Sequence, residues 1–307
     1  MTTARVAVVA GGSRGLGLLI ARQLLRRGFR VGICARDEAE LHRARLWLGP
    51  GVHTTACDVT DREAVGRWLA EVTELLGPVE VAITVAGVIQ VGPAEDVTFE
   101  HFDTAIDIML KGPLNVARLV EPGMRQRRLG RIGTVTSIGG MVSAPHLLPY
   151  CTAKFGAVGF SDGLAAALAG TGVTATTIVP GLMRTGSHDQ ALFVGDSAAA
   201  RSWFSVAASL PLLSMDADRA AERIVRGVLR GSPMVVLTPL TWLAIRVRGV
   251  APGLTTRLMQ VANRLLPGAT GNTRAVPGGE VAARHPSRLV DALTVLGRLA
   301  AVRNNER

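Results

Sequence analysis

Tyr150 is the one tyrosine of the chain, and Lys154 is one of only two lysines. They stand four residues apart, the spacing that puts two side chains on one face of a helix. An ammonium beside a phenol favours the phenolate and lowers the phenol pKa from about 10 toward working pH. A phenol so placed can give a proton to a developing alkoxide. The chain otherwise carries its positive charge on arginine, so a lysine at this point suggests a need for a compact ammonium. Ser137 precedes Tyr150 by thirteen residues and closes an apolar run, where its hydroxyl can hold and polarise a substrate oxygen. Together the three side chains suit proton transfer at a carbonyl or alcohol oxygen.

A second group of residues suits a dinucleotide. The segment Ala10-Gly11-Gly12-Ser13-Arg14-Gly15-Leu16-Gly17 follows an apolar strand and opens a helical pattern. Glycines allow a tight turn and close backbone approach, and a helix N-terminus behind them offers N–H groups to a pyrophosphate. A site built for NAD usually places an acid about 20 residues further on, against the ribose hydroxyls. Here that position is Ala35, followed by Arg36, while Asp37 comes one residue too late. Arg36 and Arg14 are two guanidinium groups suited to a ribose 2′-phosphate, which points to NADP(H).

These groups need a frame that brings strand ends together. The pattern predicts strands at Val6–Ala10, Arg30–Ala35, Val52–Cys57, Val79–Ala86, Gly130–Ser137 and Val173–Val179. Helices are predicted between them at Gly15–Arg27, Asp37–Leu48, Asp61–Leu76, Phe99–Arg127 (one long helix or two) and Tyr150–Ala169. Strands apolar on both faces and spaced by helices imply an α/β fold, a doubly wound parallel sheet with right-handed crossovers. Residues 186–215 break the alternation as an irregular stretch carrying Leu192, Phe193, Trp203, Phe204 and Leu210. A helix at Asp216–Leu229 and a last strand at Met234–Thr238 complete one domain, residues 1–238. An amphipathic helical extension over 239–267 follows. Residues 268–307 read as a Gly/Pro/Thr-rich linker and a tail, with room for a short helix between Pro286 and Val302.

The motifs together resemble the classical short-chain dehydrogenase/reductase family over about residues 4–240. Its T-G-x-x-x-G-x-G turn is met by Ala10 to Gly17, with Ala10 in place of Thr, and its Ser, Tyr and Lys by Ser137, Tyr150 and Lys154. The resemblance implies a Rossmann-like fold and hydride transfer between a nicotinamide and a carbonyl or alcohol. By the same resemblance Asp58 and Val59 meet the adenine, Ala86 and Gly87 line the cofactor cleft, and Pro180, Gly181 and Thr185 contact the nicotinamide. It further implies a homodimer or homotetramer, and makes 186–215 the substrate lid. Two departures stand out. The family's N-N-A-G is Thr84-Val85-Ala86-Gly87 here, and its catalytic Asn aligns with Met109, a weak acceptor. Asn115 lies about 240° further round the helix and is no simple substitute. These changes motivate an alternative, a catalytically weak NADPH-binding sensor or scaffold.

The lid's aromatic and aliphatic content suits an apolar carbonyl or alcohol substrate, or equally the domain's own packing. Composition excludes other classes. The chain is globular, no apolar run reaches the roughly 18–20 residues that span a bilayer, and the start lacks a signal-peptide pattern, so a cytoplasmic protein is expected. Three cysteines without a C-x-x-C pair and six scattered histidines predict neither a disulfide framework nor a metal site. Residues 234–307 hold ten arginines against Glu280, Asp291 and Glu306, which is +7 of the net +10. No recognised nucleic-acid motif accompanies this charge, so no nucleic-acid partner is expected. Leu254, Leu258, Val261 and Leu265 share one helical face flanked by Arg257 and Arg264, with Trp242, Arg246 and Arg248 upstream. That arrangement suits a peripheral membrane contact, and also docking on the protein's own sheet or on another subunit.

Overall fold

The computed structural model describes residues 5–209, 214–286 and 294–306. Leu210 therefore lies outside the described residues. Chain order runs β1 (Val6–Ala10), α1 (Gly15–Leu25), β2 (Arg30–Ala35), α2 (Glu38–Leu48), β3 (Val52–Ala56), α3 (Arg62–Leu76) and β4 (Val79–Thr84). It continues through α4 (Phe99–Ile106), α5 (Gly112–Arg127), β5 (Gly130–Val135), α6 (Leu148–Ala167), β6 (Val173–Val179), α7 (Ser197–Ser209), α8 (Ala217–Arg230) and β7 (Met234–Val236). The extension and tail supply α9 (Pro239–Val250), α10 (Pro252–Asn263), α11 (Gly278–Arg284) and α12 (Val295–Arg303).

The seven strands form one parallel sheet in the order β7-β6-β5-β4-β1-β2-β3. The order reverses at β1 and β4, so their carboxyl ends open a crevice. Strand β1 shows why its sequence is apolar throughout. Ala7 and Val9 join the core under α1 and α8, while Val6, Val8 and Ala10 join the core under α3, α5 and α6. Alternate side chains thus feed two separate cores, and a polar residue on either face would be stranded in one of them. Aspartates start the helices: Asp37 caps α2, Asp61 caps α3 and Asp216 caps α8, each accepting backbone N–H bonds.

The segment Phe99–Arg127 is two helices joined by a π-helical turn at Asp107–Lys111. Pro113 has no N–H to offer the Met109 carbonyl four residues back. The winding there widens, and the Gly112 N–H bonds Asp107 O instead.

Two expectations fail on the far side of the sheet. The described residues of 186–215 are built from defined pieces, including a short helix at Ser187–Gln190, a strand at Leu192–Phe193 and helix α7. The region 268–286 is no free linker either. Val276–Pro277 pairs with Leu192–Phe193, and the Asp96 carboxylate accepts from the N–H groups of Thr270 (3.0 Å) and Gly271 (2.8 Å). Phe193 and Phe204 are buried with Val91, Val276 and Val281 in a satellite core, against which Trp203 packs. The lid's aromatics therefore pack the protein itself, and their apolar character no longer bears on a ligand.

Candidate active site

Four strand ends supply the site. β5 runs into Thr136 and Ser137. Ser137 falls just past the strand rather than within it, and its hydroxyl accepts from the Gly139 N–H at 3.0 Å. A short turn, Ile138–Gly140, then tucks under α6. A Cβ on Gly139 would stand 2.9 Å from the Tyr150 ring, and one on Gly140 would stand 2.6 Å from Lys154 O. The absence of side chains at these two positions is what lets α6 come close enough for Tyr150 to meet Ser137.

Tyr150 lies in the first turn of α6 and Lys154 one turn later. The ammonium Nζ is 5.8 Å from the phenol ring centroid, so the two share a face. Lys154 is buried, and its Nζ donates to Val135 O at 2.8 Å. Burial pushes the Tyr150 phenol up to about 12, opposed by the neighbouring Ser137 hydroxyl. Burial also pulls Lys154 down to about 8. The expected lowering of the phenol by its ammonium neighbour is not found. The ammonium is turned to the Val135 carbonyl, and desolvation dominates both groups.

The glycine turn leaves β1 and is pinned to β2 by the N–H groups of Gly11 (2.9 Å) and Gly12 (3.1 Å), both donating to Cys34 O. It is also clasped to the end of β4, where the N–H groups of Val85 and Ala86 donate to Ala10 O at 2.8 and 3.1 Å. Gly11 has φ +83°, and a Cβ there would meet Ala86 N at 2.5 Å. The turn thus places bare backbone at the N-terminus of α1, on the same sheet edge as Ser137.

This edge, with its glycine turn and its Ser-Tyr-Lys cluster, agrees with a comparison across protein families. Residues 5–192 match the family model described as short chain dehydrogenase. The chain belongs to that family. As a short chain dehydrogenase it is an oxidoreductase of nucleotide-binding type, and hydride transfer with a nicotinamide cofactor is the family's chemistry. Among curated relatives, the 3-oxoacyl-[acyl-carrier-protein] reductase MabA of Mycobacterium avium is 33% identical over 181 residues, 59% of this chain and 68% of its own. The acetoacetyl-CoA reductase of Paracoccus denitrificans is 34% identical over 182 residues, 59% and 75% of the two chains. A crystal structure of a variant actinorhodin polyketide ketoreductase with NADPH aligns at TM-score 0.65 and 27% identity, over 76% of this chain and 95% of that one. A short-chain dehydrogenase from Streptomyces avermitilis shares the fold at TM-score 0.75 and 24% identity, over 86% and 99%.

Other positions of this short chain dehydrogenase fall around the same edge. Thr84 keeps one link to the next strand, its hydroxyl donating to Gly133 O at 3.4 Å, while Val85 packs against the core of α1 and α8. Asp58 Oδ1 accepts from the Thr60 N–H, and Val59 is buried beside Gly112, where a Cβ would meet it at 2.8 Å. Asn115 proves structural: its buried amide donates to Val59 O at 3.0 Å, tying α5 to the loop after β3. Met109 is fully buried with Ala105 and Ala153, and Tyr150 packs against that cluster. Its sulfur would lie 3.5 Å from a Cβ on Gly87, so it fills the gap between cleft and phenol with an apolar group. Pro180 O accepts from the Ile138 N–H at 2.8 Å, linking the β6 end to the Ser137 turn. A Cβ on Gly181 would meet Thr241 Oγ1 at 2.6 Å, and Thr185 is buried.

The corner between the glycine turn and α2 holds one residue that sequence reasoning missed. Glu40, on α2, accepts from Arg14 Nη1 at 2.6 Å and from the Ser13 hydroxyl at 2.9 Å. Its place four residues after Arg36 was visible, but its partner across the turn was not. Arg36 itself is exposed at the end of β2, and Asp37 is spent on capping α2.

Proposed function

We propose that this chain is an NADP(H)-dependent oxidoreductase that moves a hydride between the nicotinamide and a carbonyl or alcohol carbon, working as a reductase on acyl ketones. The observation carrying this reading is the Ser137-Tyr150-Lys154 cluster, with Lys154 buried and the other two half-buried, on the sheet edge that also bears the glycine turn. The turn fits a dinucleotide. Gly15 has φ +54°, and the three nearest atoms a Cβ there would meet all belong to one side chain of the tail, so core packing does not require the glycine.

When bound, the nicotinamide supplies or accepts the hydride, and the protein does the rest. Ser137 and Tyr150 hold the substrate oxygen between two hydroxyls. The phenol, kept protonated by burial, gives its proton to that oxygen as negative charge develops. Lys154 places a positive charge beside the phenolate that is left, and by family resemblance holds the nicotinamide ribose. Met109 and Ala153 keep water from the inner side of the phenol. Gly11, Ser13, Arg14, Gly15, Leu16, Gly17 and Arg36 would hold the phosphates, and Asp58, Val59, Ala86, Gly87, Pro180, Gly181 and Thr185 the remaining ring systems. The acyl ketone class is supported by the names of the ketoacyl and acetoacetyl reductases to which the chain is similar.

NADPH oxidation followed over a panel of 3-ketoacyl thioesters, apolar ketones and aldehydes tests the reading. Saturable turnover of at least one class is expected, and tight NADPH binding without turnover would favour the sensor alternative. Arg14 and Arg36 carry the 2′-phosphate preference, although Glu40 competes for Arg14. Replacing both arginines by alanine removes charge-assisted contacts worth about 1.5–3 kcal/mol each when formed. The Kd for NADPH should rise by about 100-fold or more when both contacts form, with NADH nearly unchanged. An equal loss for both cofactors would refute the preference.

The helical extension carries a further reading. Leu254, Leu258, Val261 and Leu265 are 55%, 51%, 55% and 84% exposed, and Trp242 is 51% exposed, so this face does not dock on the protein's own sheet. Residues 239–267 contain Arg246, Arg248, Arg257 and Arg264 and no acid, and Arg246 lies 4.7 Å over the Trp242 ring. Among the described residues no helix is long and apolar enough to cross a membrane. The pair α9–α10 instead suits lying on an anionic lipid surface, apolar face down and guanidinium groups at the phosphates. Co-sedimentation with phosphatidylglycerol vesicles checks this. Trp242→Asp with Leu258→Asp should cut the bound fraction by about 10-fold, in line with the apolar area removed. Unchanged binding, or an apolar face covered by a second copy in sedimentation velocity, would overturn it.

A further inference from the structure

Helix α12 returns the end of the chain to the glycine turn. Asn304 O accepts from the Gly15 N–H at 2.8 Å. The Asn305 amide donates to Ser13 O at 2.8 Å and to Glu40 O at 3.2 Å, and its oxygen accepts from Arg43 Nε at 3.0 Å. The Glu306 carboxylate accepts from the Gly186 N–H at 2.5 Å, and Gln190 donates to Glu306 O at 3.2 Å. Three successive residues thus run from the corner between the glycine turn and α2, across the N-terminus of α1, to the segment beyond Pro180-Gly181 on the nicotinamide side. A Cβ on Gly15 would meet Glu306 Oε1 at 2.9 Å.

The Asn304 carbonyl at the N-terminus of α1 takes a glycine-turn N–H of the kind that a phosphate would use. Arg14, Glu40 and Asp189 are the charged groups facing Glu306, with Arg43 beside Asn305 and Arg201 paired to Asp189 behind. We propose that residues 304–306 occupy the path of the dinucleotide pyrophosphate, so that cofactor binding displaces the C-terminal tail. The inference rests on the nucleotide-site reading of Gly11–Gly17.

The contact is built to be displaceable. Burial pushes the Glu306 carboxyl up to about 7, against the Gly186 N–H and Arg14 that pull it down. The free acid sits near its ordinary value, so docking is fully favoured below about 4.5 and weakens as pH rises through 7. The Asn304 amide is buried with neither of its atoms hydrogen-bonded among the described residues. Arg303, by contrast, stays tied to Asp216 and Asp218 at 3.6 and 3.7 Å, so release can be confined to the residues after it.

The test compares the full chain with its Asn305→Ala, Glu306→Ala variant, neither residue belonging to the catalytic machinery. Dissociation constants for NADPH and NADH are measured by titration calorimetry at pH 6 and 8. A tail docked nine-tenths of the time would weaken both dinucleotides by about 10-fold, so the variant should bind both more tightly, and by a larger factor at pH 6. In the wild-type chain, amide hydrogen exchange at residues 304–306 should quicken when NADPH is added. Equal constants in the two proteins, with exchange unaltered by NADPH, overturn the competition while leaving the nucleotide site standing. Failure of both proteins to bind either dinucleotide overturns the site reading and the competition together.

Discussion

Tyr150→Phe is expected to lower kcat for carbonyl reduction by about 10³-fold, within the range that a positioned general acid supplies, while the Kd for NADPH changes by less than about threefold. The reason is the lack of a substitute. Tyr150 is the one tyrosine in the chain, Lys154 is bound to the Val135 carbonyl, and Ser137 is too weak an acid to replace a phenol. Met109 and Ala153 fill the inner side of the pocket with apolar atoms, which leaves no route for a proton from that direction. Phenylalanine keeps the ring volume, so the fold should survive, and a thermal-unfolding midpoint within a few degrees of wild type would certify it. Steady-state NADPH oxidation supplies the decisive number. A variant that keeps a third or more of its turnover would show that the acid lies elsewhere.

Gly17→Ala should be nearly as damaging, by a different route. A Cβ at this position would sit 1.9 Å from Gly11 O and 2.9 Å from Gly11 C. Both atoms are backbone and cannot swing away as a side-chain tip can. The turn would have to open, pulling the Gly11 and Gly12 N–H groups from Cys34 O and moving the backbone that faces the pyrophosphate. Strain of about 1–3 kcal/mol from such overpacking lowers the unfolding midpoint by several degrees. Dinucleotide affinity should fall by about 100-fold or more, because the binding groups are the displaced backbone itself. Gly66→Ala, in α3, is the matched control. Nothing lies within 4 Å of a Cβ there, and alanine should leave binding intact and raise stability slightly. Parallel losses in both variants would sink the steric account.

Much of this was readable in the residue string because it depends on local periods. The βα alternation follows from apolar runs such as Val6–Ala10, whose side chains feed two cores. The Tyr150-Lys154 pairing follows from the pitch of a helix, and the order of strand ends then brings Ser137 and the glycine turn to one edge. What escaped depends on contacts between distant segments. Glu40 reads as an ordinary surface acid until α2 is folded against the turn. Asn115, set aside for a proton relay, holds the Val59 carbonyl instead. The composition of 268–279 suggests a free linker, yet Asp96, far earlier in the chain, anchors it through two N–H groups. Trp203 and Phe204 suggest a ligand pocket by type, but only the fold shows Val276 and Val281 arriving to share their core. The upward push of burial on the Tyr150 phenol is likewise invisible in a spacing.

The position of the last residues has a practical side. Asn305 binds the carbonyls of Ser13 and Glu40, so a tag joined after residue 307 would begin two residues from a contact with the glycine turn. An affinity tag or fluorescent reporter attached there would crowd the cleft or pull the end of the chain out of it. Constants measured on such a fusion would describe the fusion. Handles belong at the other end of the polypeptide, where Arg5 pairs with Glu80 away from the glycine turn.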